Sequence, residues 1–244
     1  MTRIVQAGPR LTAKARAERS ARRLRLAKRV GLVGAALLPL LLLGWLLLAS
    51  PLLAVRSVAV SGTRLLTAAQ VRDAAAVQPG TPLARVDTAA VVRRIRRLRP
   101  VAEVHVQRGW PGTLRVRVVE RTAVAGLIST RGVTLVDAGG VAFAPAPRLP
   151  VGTVRLQVPH PGAGDPTTRA ALQVLGDLPV TLRTPLRIVR AASPSSVTLV
   201  LAGGRQVIWG GAGDTQLKVE AAEALLRMPG RVFDVSRPAV VTRS

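Results

Sequence analysis

Apolar positions follow three regimes along the chain. From Val30 to Ser50 they run without a charge for 21 residues. As a helix rising about 1.5 Å per residue, such a run spans about 31 Å, enough for a bilayer core. Between residues 55 and 121 the period switches between that of strands and that of helices. Val55, Val58 and Val60 lie in a β-rich stretch that ends at Ser61-Gly62. Thr67-Ala68-Ala69-Gln70 fits a capping box, and the helix behind it, to about Val77, carries Val71, Ala74 and Ala75 on one side. Gln78-Pro79-Gly80-Thr81-Pro82 stops it. Asp87 can cap a second helix with Val91, Val92, Ile95 and Leu98 on one face and Arg93, Arg94, Arg96, Arg97 and Arg99 on the other. After Pro100, Val104 and Val106 alternate with polar residues, as do Leu114, Val116 and Val118, with Gly109-Trp110-Pro111-Gly112 as the hairpin turn. The predicted order is β-α-α-β-β.

From residue 122 onward, short apolar runs are broken by Gly and Pro. Ala123–Ile128, Gly132–Val136 and Val141–Phe143 read as strands, with a turn at Asp137-Ala138-Gly139-Gly140. Asp165 and Pro166 suit N-cap and N1 of a helix whose apolar face is Ala171, Val174, Leu175 and Leu178. Arg187–Ala192, Val197–Leu201 and Gln206–Trp209 are three more strands, the last two joined by a tight Gly203-Gly204 hairpin. Asp214 is the expected cap of a helix over 215–228, buried through Leu217, Ala221, Ala224, Leu225 and Met228, with Glu223 and Arg227 as an i,i+4 pair. A final strand runs from Arg231 to about Thr242.

Charge settles the expected topology. Ten Lys/Arg and one acid precede the apolar run, so the N-terminus stays on the cytoplasmic side and everything after Pro51 lies outside. The run is longer than a signal-peptide core and lacks a small residue at the −3 position of a cut, so a retained anchor is expected. The net charge is +24, almost all from Arg. Three Trp, two Phe and no Tyr leave few stacking platforms, and the part after Pro51 would rarely meet nucleic acid, so no nucleic-acid partner is expected. A basic surface beside anionic lipid and wall polymer is the simpler reading.

Chemistry-bearing constellations are missing from the sequence. There is no Cys, and His105 and His160 are the only histidines, so neither thiol chemistry nor a His-based metal site is expected. No nucleophile or zinc motif occurs, and the acids form no clustered pair. Gly210-Gly211-Ala212-Gly213 lacks the spacing of a phosphate loop and reads instead as a loop that orients Lys218. Asp137 and Asp234 have structural explanations. The expectation is a protein that is not an enzyme and holds no cofactor.

Several pieces together resemble a known family. Val58-Ala59-Val60-Ser61-Gly62, Leu83-Ala84-Arg85-Val86-Asp87, and Arg108-Gly109-Trp110-Pro111-Gly112-Thr113-Leu114 running into Val119-Glu120-Arg121 resemble a POTRA domain. They look like the version in the bacterial division proteins FtsQ and DivIB. The Asp137–Gly140 turn, Leu149-Pro150, the stretch from Trp209 to Lys218, and Asp234-Val235-Ser236-Arg237-Pro238 extend the resemblance over about Val30 to Thr242.

The resemblance implies an α+β protein with a basic cytoplasmic tail (1–29), a transmembrane helix (30–50), a POTRA domain (51–122) and a mainly antiparallel β-domain with two inserted helices (123–244). It implies a divisome scaffold at the septum that binds FtsB/DivIC-like and FtsL-like coiled-coil proteins. Binding of that kind adds a partner strand to the edge of the β-domain. Phe233, Val235, Ser236, Arg237, Val240 and Val241 are the candidate contacts there, and Arg93, Arg94, Arg96 and Arg97 form a weaker candidate surface. Pro238, which lacks a donor, limits how far such pairing extends. The alternatives are a membrane-tethered binder of anionic wall polymer and a POTRA-type polypeptide chaperone.

Overall fold

The computed structural model describes Lys28, 31–32, 34–42, 44–45, 53–130, 132–237 and 242–243. Of the predicted anchor, 31–32, 34–42 and 44–45 are helical, with Leu37, Leu38, Leu40, Leu41 and Leu42 exposed. The rest of the anchor, and the basic tail apart from Lys28, lie outside the described residues. Among the described residues no helix is long and apolar enough to cross a membrane.

Among the described residues the strands form a three-stranded and a nine-stranded sheet. The small sheet has the order β1-β3-β2, from β1 (Ser57–Ser61), β2 (Val101–Gly109) and β3 (Thr113–Glu120). Its central strand alternates as its sequence predicts, with Leu114, Val116 and Val118 buried and Arg115 and Arg117 exposed. Two helices, α1 (Ala68–Ala75) and α2 (Thr88–Ile95), pack on each other, and Val71, Ala75, Val91 and Ile95 are buried. The predicted capping box is present: Gln70 N–H donates to Thr67 Oγ1 at 3.2 Å and Thr67 N–H to Gln70 Oε1 at 2.8 Å.

Packing divides the described residues into two compact units, one with those up to 59, 77–87 and 107–115, the other with those of 60–76, 88–106 and from 116 onward. In the first, Arg108 donates to the carbonyls of Leu83 (3.0 Å) and Val86 (2.8 Å). Leu83 opens a one-turn 3-10 helix, Leu83–Arg85, and Val86 is its C-cap, so Arg108 adds a donor at each end of it. The Arg108 and Leu83–Asp87 pieces of the sequence are therefore two halves of one contact.

In the second unit, the Glu120 carboxylate accepts from three successive backbone N–H groups, of Arg64, Leu65 and Leu66, at 3.0, 2.8 and 2.9 Å. Gly62 precedes that loop where a Cβ would collide with the Val118 carbonyl. Arg121 donates to the Arg99 carbonyl at 3.1 Å and pairs with Asp137 at 2.5 Å. The other Asp137 oxygen accepts from Gly139 and Val141 N–H, so this aspartate builds its turn, as expected.

The large sheet has the order β12-β11-β10-β9-β8-β7-β4-β5-β6. Its strands are β4 (Ala125–Ser129), β5 (Gly132–Val136), β6 (Ala142–Ala146), β7 (Val154–Gln157), β8 (Leu186–Ser193), β9 (Ser196–Leu201), β10 (Gln206–Gly210), β11 (Val232–Asp234) and β12 (Thr242–Arg243). The β4–β7, β7–β8 and β10–β11 pairs are parallel and the other five antiparallel. Parallel neighbours need long crossovers. Helices supply two of them: α3 (Pro166–Asp177) and α4 (Val180–Arg183) between β7 and β8, and α5 (Thr215–Leu225) between β10 and β11.

Helix α3 packs on β8 and β9, and Ala171, Val174, Leu175 and Leu178 are all buried. Asp165 caps it, accepting from Thr168 N–H at 2.6 Å, a bond that holds the carboxyl below its ordinary range. Arg183 of the additional helix α4 donates to the Leu175, Gly176 and Leu178 carbonyls. The core joins α3, α5 and the central strands around Trp209, Leu199, Val189 and Phe233.

Several local expectations are corrected. Strand β7 is additional to the predicted set, whereas the predicted Gly203-Gly204 hairpin forms: β9 and β10 pair antiparallel across a short turn, Ala202–Gly204. Asp214 precedes α5 with a left-handed backbone (φ 54) and no side-chain cap bond. Glu223 accepts from Thr181 Oγ1 at 2.6 Å. The buried side of α5 is Lys218, Ala222 and Leu225, while Leu217 and Met228 are exposed. Lys218 explains the rotation: its Nζ turns back to the Gly211 carbonyl at 2.8 Å, taking the aliphatic stem under the helix.

Two outcomes follow from these contacts. Glu120→Ala should lower stability by about 1–2 kcal/mol and speed amide exchange at 64–66 selectively, because partly solvated amides lose a charged acceptor. Unchanged exchange there would contradict that role.

Burial lowers the Lys218 pKa from its ordinary 10.5, opposed by the nearby Asp214 charge. The folded chain thus holds this proton less tightly than the unfolded chain. The group's contribution to stability is fully present above 10.5 and is lost as pH falls through the lowered folded value. The stability difference between the parent and Lys218→Met should therefore shift in the parent's favour as pH rises toward 10.5. A pH-independent difference in urea unfolding would overturn this.

Candidate partner-binding edge

The last two strands form one end of the large sheet. Strand β11 runs parallel to β10, with Val207 opposite Phe233 and Ile208 opposite Asp234. Gln206 N–H donates to the Arg231 carbonyl at 2.7 Å and Val235 N–H to the Ile208 carbonyl at 2.9 Å. Strand β12 then pairs antiparallel with β11, Arg243 opposite Phe233 and Thr242 opposite Asp234. Strand β11 is thus flanked on both sides. Among the described residues β12 has one neighbour, and its outer side is the edge.

Local chemistry pins β11 from beneath. Phe233 and Val235 are fully buried, whereas Val232, Asp234 and Ser236 are half-buried. Arg205 lies over the Phe233 ring at 4.9 Å from its centroid and donates through Nη2 to the Leu226 carbonyl at 2.7 Å. One guanidinium therefore joins the end of α5 to the strand that follows it. Past β11, Ser236 N–H donates to Asp234 Oδ1 at 2.9 Å, closing a small turn. Gly210 sits against that turn with φ +76, where a Cβ would lie 2.8 Å from Ser236 Cβ.

The candidate contact residues separate accordingly. Phe233 and Val235 belong to the core, and their side chains present no surface to a partner. Ser236 is half-buried and Arg237 exposed, while Val240 and Val241 lie outside the described residues. The predicted single strand over 231–242 is two strands, β11 and β12. Sequence reasoning did not find Arg205, whose one signal is its place just before a strand. At the opposite edge, β6 carries Pro145, which cannot donate to an added strand.

The weaker candidate surface lies on and after α2. Arg93, Arg96 and Arg97 are exposed, but Arg94 is half-buried and donates through Nε to the Ala75 carbonyl at 2.9 Å. Ala75 is the last residue of α1, so Arg94 serves as its C-terminal partner. Among the described residues no group of three His, Cys, Asp or Glu could hold a metal ion.

Comparison with known proteins matches both halves. Residues 53–121 match the family model of the FtsQ-type POTRA domain, and 126–236 that of the FtsQ/DivIB C-terminal region. The chain is 43% identical over 200 residues to the cell division protein FtsQ of Mycobacteroides abscessus, covering 82% of this chain and 64% of that protein. It is 42% identical over 200 residues to FtsQ of Mycolicibacterium smegmatis, covering 82% and 60%. Against FtsQ of Streptomyces collinus it is 40% identical over 226 residues, covering 86% of each. The chain thus spans less than two thirds of the mycobacterial relatives.

Core and surface roles at this edge are separable by mutation. Phe233→Ala should cost about 3–5 kcal/mol in chemical unfolding, because it empties a packed site beneath Arg205. Arg237→Ala should change stability by no more than about 0.5 kcal/mol. Equal effects would show that the burial pattern misassigns them.

Proposed function

This chain belongs to the FtsQ/DivIB family of bacterial cell division proteins, and from that premise we propose that it is a non-enzymatic scaffold of the division machinery. In this reading 1–29 form a cytoplasmic tail, 30–50 a single membrane anchor, 51–122 the POTRA domain and 123–244 the β-domain. Both folded domains lie outside the cytoplasmic membrane. Support for the anchor comes from the uncharged run Val30–Ser50 and the basic residues before it. The leucines exposed on its helical residues would meet lipid.

The partners are small single-pass coiled-coil proteins of the FtsB/DivIC and FtsL kinds. The observation that carries this reading is the one-sided pairing of β12 (Thr242–Arg243). A partner strand adds there, with backbone bonds supplying affinity and the side chains around it supplying selectivity. Phe233 and Val235 act indirectly, by fixing the strand on which β12 is built. Ser236, Arg237, Val240 and Val241 remain the candidate side-chain contacts.

A fluorescent protein fused at Met1 tests the cellular role. The expected result in dividing cells is a septal band that appears before constriction ends. Uniform envelope fluorescence from a functional fusion would sink the division reading. The edge is tested by deleting 242–244 in the full chain, which should abolish co-purification of the FtsB/DivIC-like partner while the melting temperature holds. Undiminished co-purification would move the contact elsewhere.

A further inference from the structure

A second opening lies inside the large sheet, at β7, the fifth strand in from β12. Strands β4 and β7 are parallel but pair over two residues only, Ala125 with Val154 and Gly126 with Arg155. Each then runs on, β4 to Ser129 and β7 to Gln157, held by its other neighbour. Between the diverging strands lies a cleft of about 630 Å³. Among the described residues no Asp or Glu lines it, and two arginines, Arg155 and Arg190, do.

Arg155 is the unusual one. Its Nε is buried and has no hydrogen-bond partner among the described residues. A desolvated guanidinium donor left unpaired is costly. That cost is relieved by an acceptor brought into the cleft. Arg190 is exposed on the next strand, and its Nε is tied to Gln157 Oε1 at 2.9 Å. That bond holds the guanidinium on the same side of the sheet.

We propose that this cleft is a second docking site, which takes an extended acidic segment of a partner protein. Its carboxylates pair with Arg155 and Arg190, and its backbone runs along the parted strands. Charge complementarity favours an acidic ligand. The shape favours a peptide over a wall polymer: the walls include two strand edges and the exposed apolar side chain of Ile128. A phosphate chain would use neither. The site is separate from β12, so it does not rest on the strand-addition reading.

The test uses the full chain in detergent and a fluorescein-labelled peptide of about six residues, a common strand length, alternating Glu and Val. Anisotropy should show saturable binding that weakens by about tenfold or more in Arg155→Gln and in Arg190→Gln. Arg190 is exposed, so its variant reports on binding even where Arg155→Gln alters folding, which thermal melting monitors. Deleting 242–244 should leave the affinity unchanged. The proposal is overturned if a Gln-for-Glu peptide binds equally or if both arginine variants bind normally. It also fails if removing β12 abolishes binding, or if polyphosphate at matched charge displaces the peptide completely.

Discussion

The proposed binding edge depends on the insertion of two side chains, Phe233 and Val235, into the core. Spaced by two, they face the same way from β11, with Asp234 facing the other. A slip of one residue would bury Asp234 and expose both apolar groups, so the register is strongly determined. The crossover through α5 brings the chain back parallel to β10, and Arg205 clasps the end of that helix to the Phe233 ring. With β11 held from one side by β10, its other side takes β12, and the edge moves out to 242–243.

A second regularity follows from charge balance. The chain has 36 Lys and Arg against 12 Asp and Glu, so most cations have no acid to pair with. Many use backbone carbonyls instead. Arg94 takes the last carbonyl of α1, Arg183 those at the end of α3, and Arg205 those after α5. Helix C-termini present unpaired carbonyls and partial negative charge, so a cation there satisfies both. Arg108 does the same for a 3-10 turn, and Lys218 for the glycine loop before α5. Arg155 departs from this pattern, which is why its cleft stands out.

The acids, being few, are concentrated on backbone organisation. Glu120 gathers three amides, Asp137 holds two amides and Arg121, and Asp165 caps α3. The sequence pieces shared with the division proteins are therefore structural: Arg108 with Leu83 and Val86, Glu120 with the loop after Gly62, and Asp137 with its turn. In the function proposed above, they maintain a fold whose contact surfaces are strand edges.

Sequence alone determined what depends on neighbours along the chain. The capping box at Thr67 and Gln70, the Asp165-Pro166 helix start, the alternation of β3 and the apolar face of α3 rest on side chains within a few positions of one another. Strand β7 is only four residues long and carries too little pattern to read. The parallel pairings, the partial separation of β4 from β7, and the break after β11 at 235–237 arise between segments far apart in sequence. The rotation of α5 was hidden for a different reason. Periodicity counts Lys218 as polar and Leu217 as apolar, but a carbonyl at Gly211 pairs the ammonium and lets its stem be buried. Only the tertiary structure decided whether Phe233 would be core or contact, because burial depends on which strand arrives alongside.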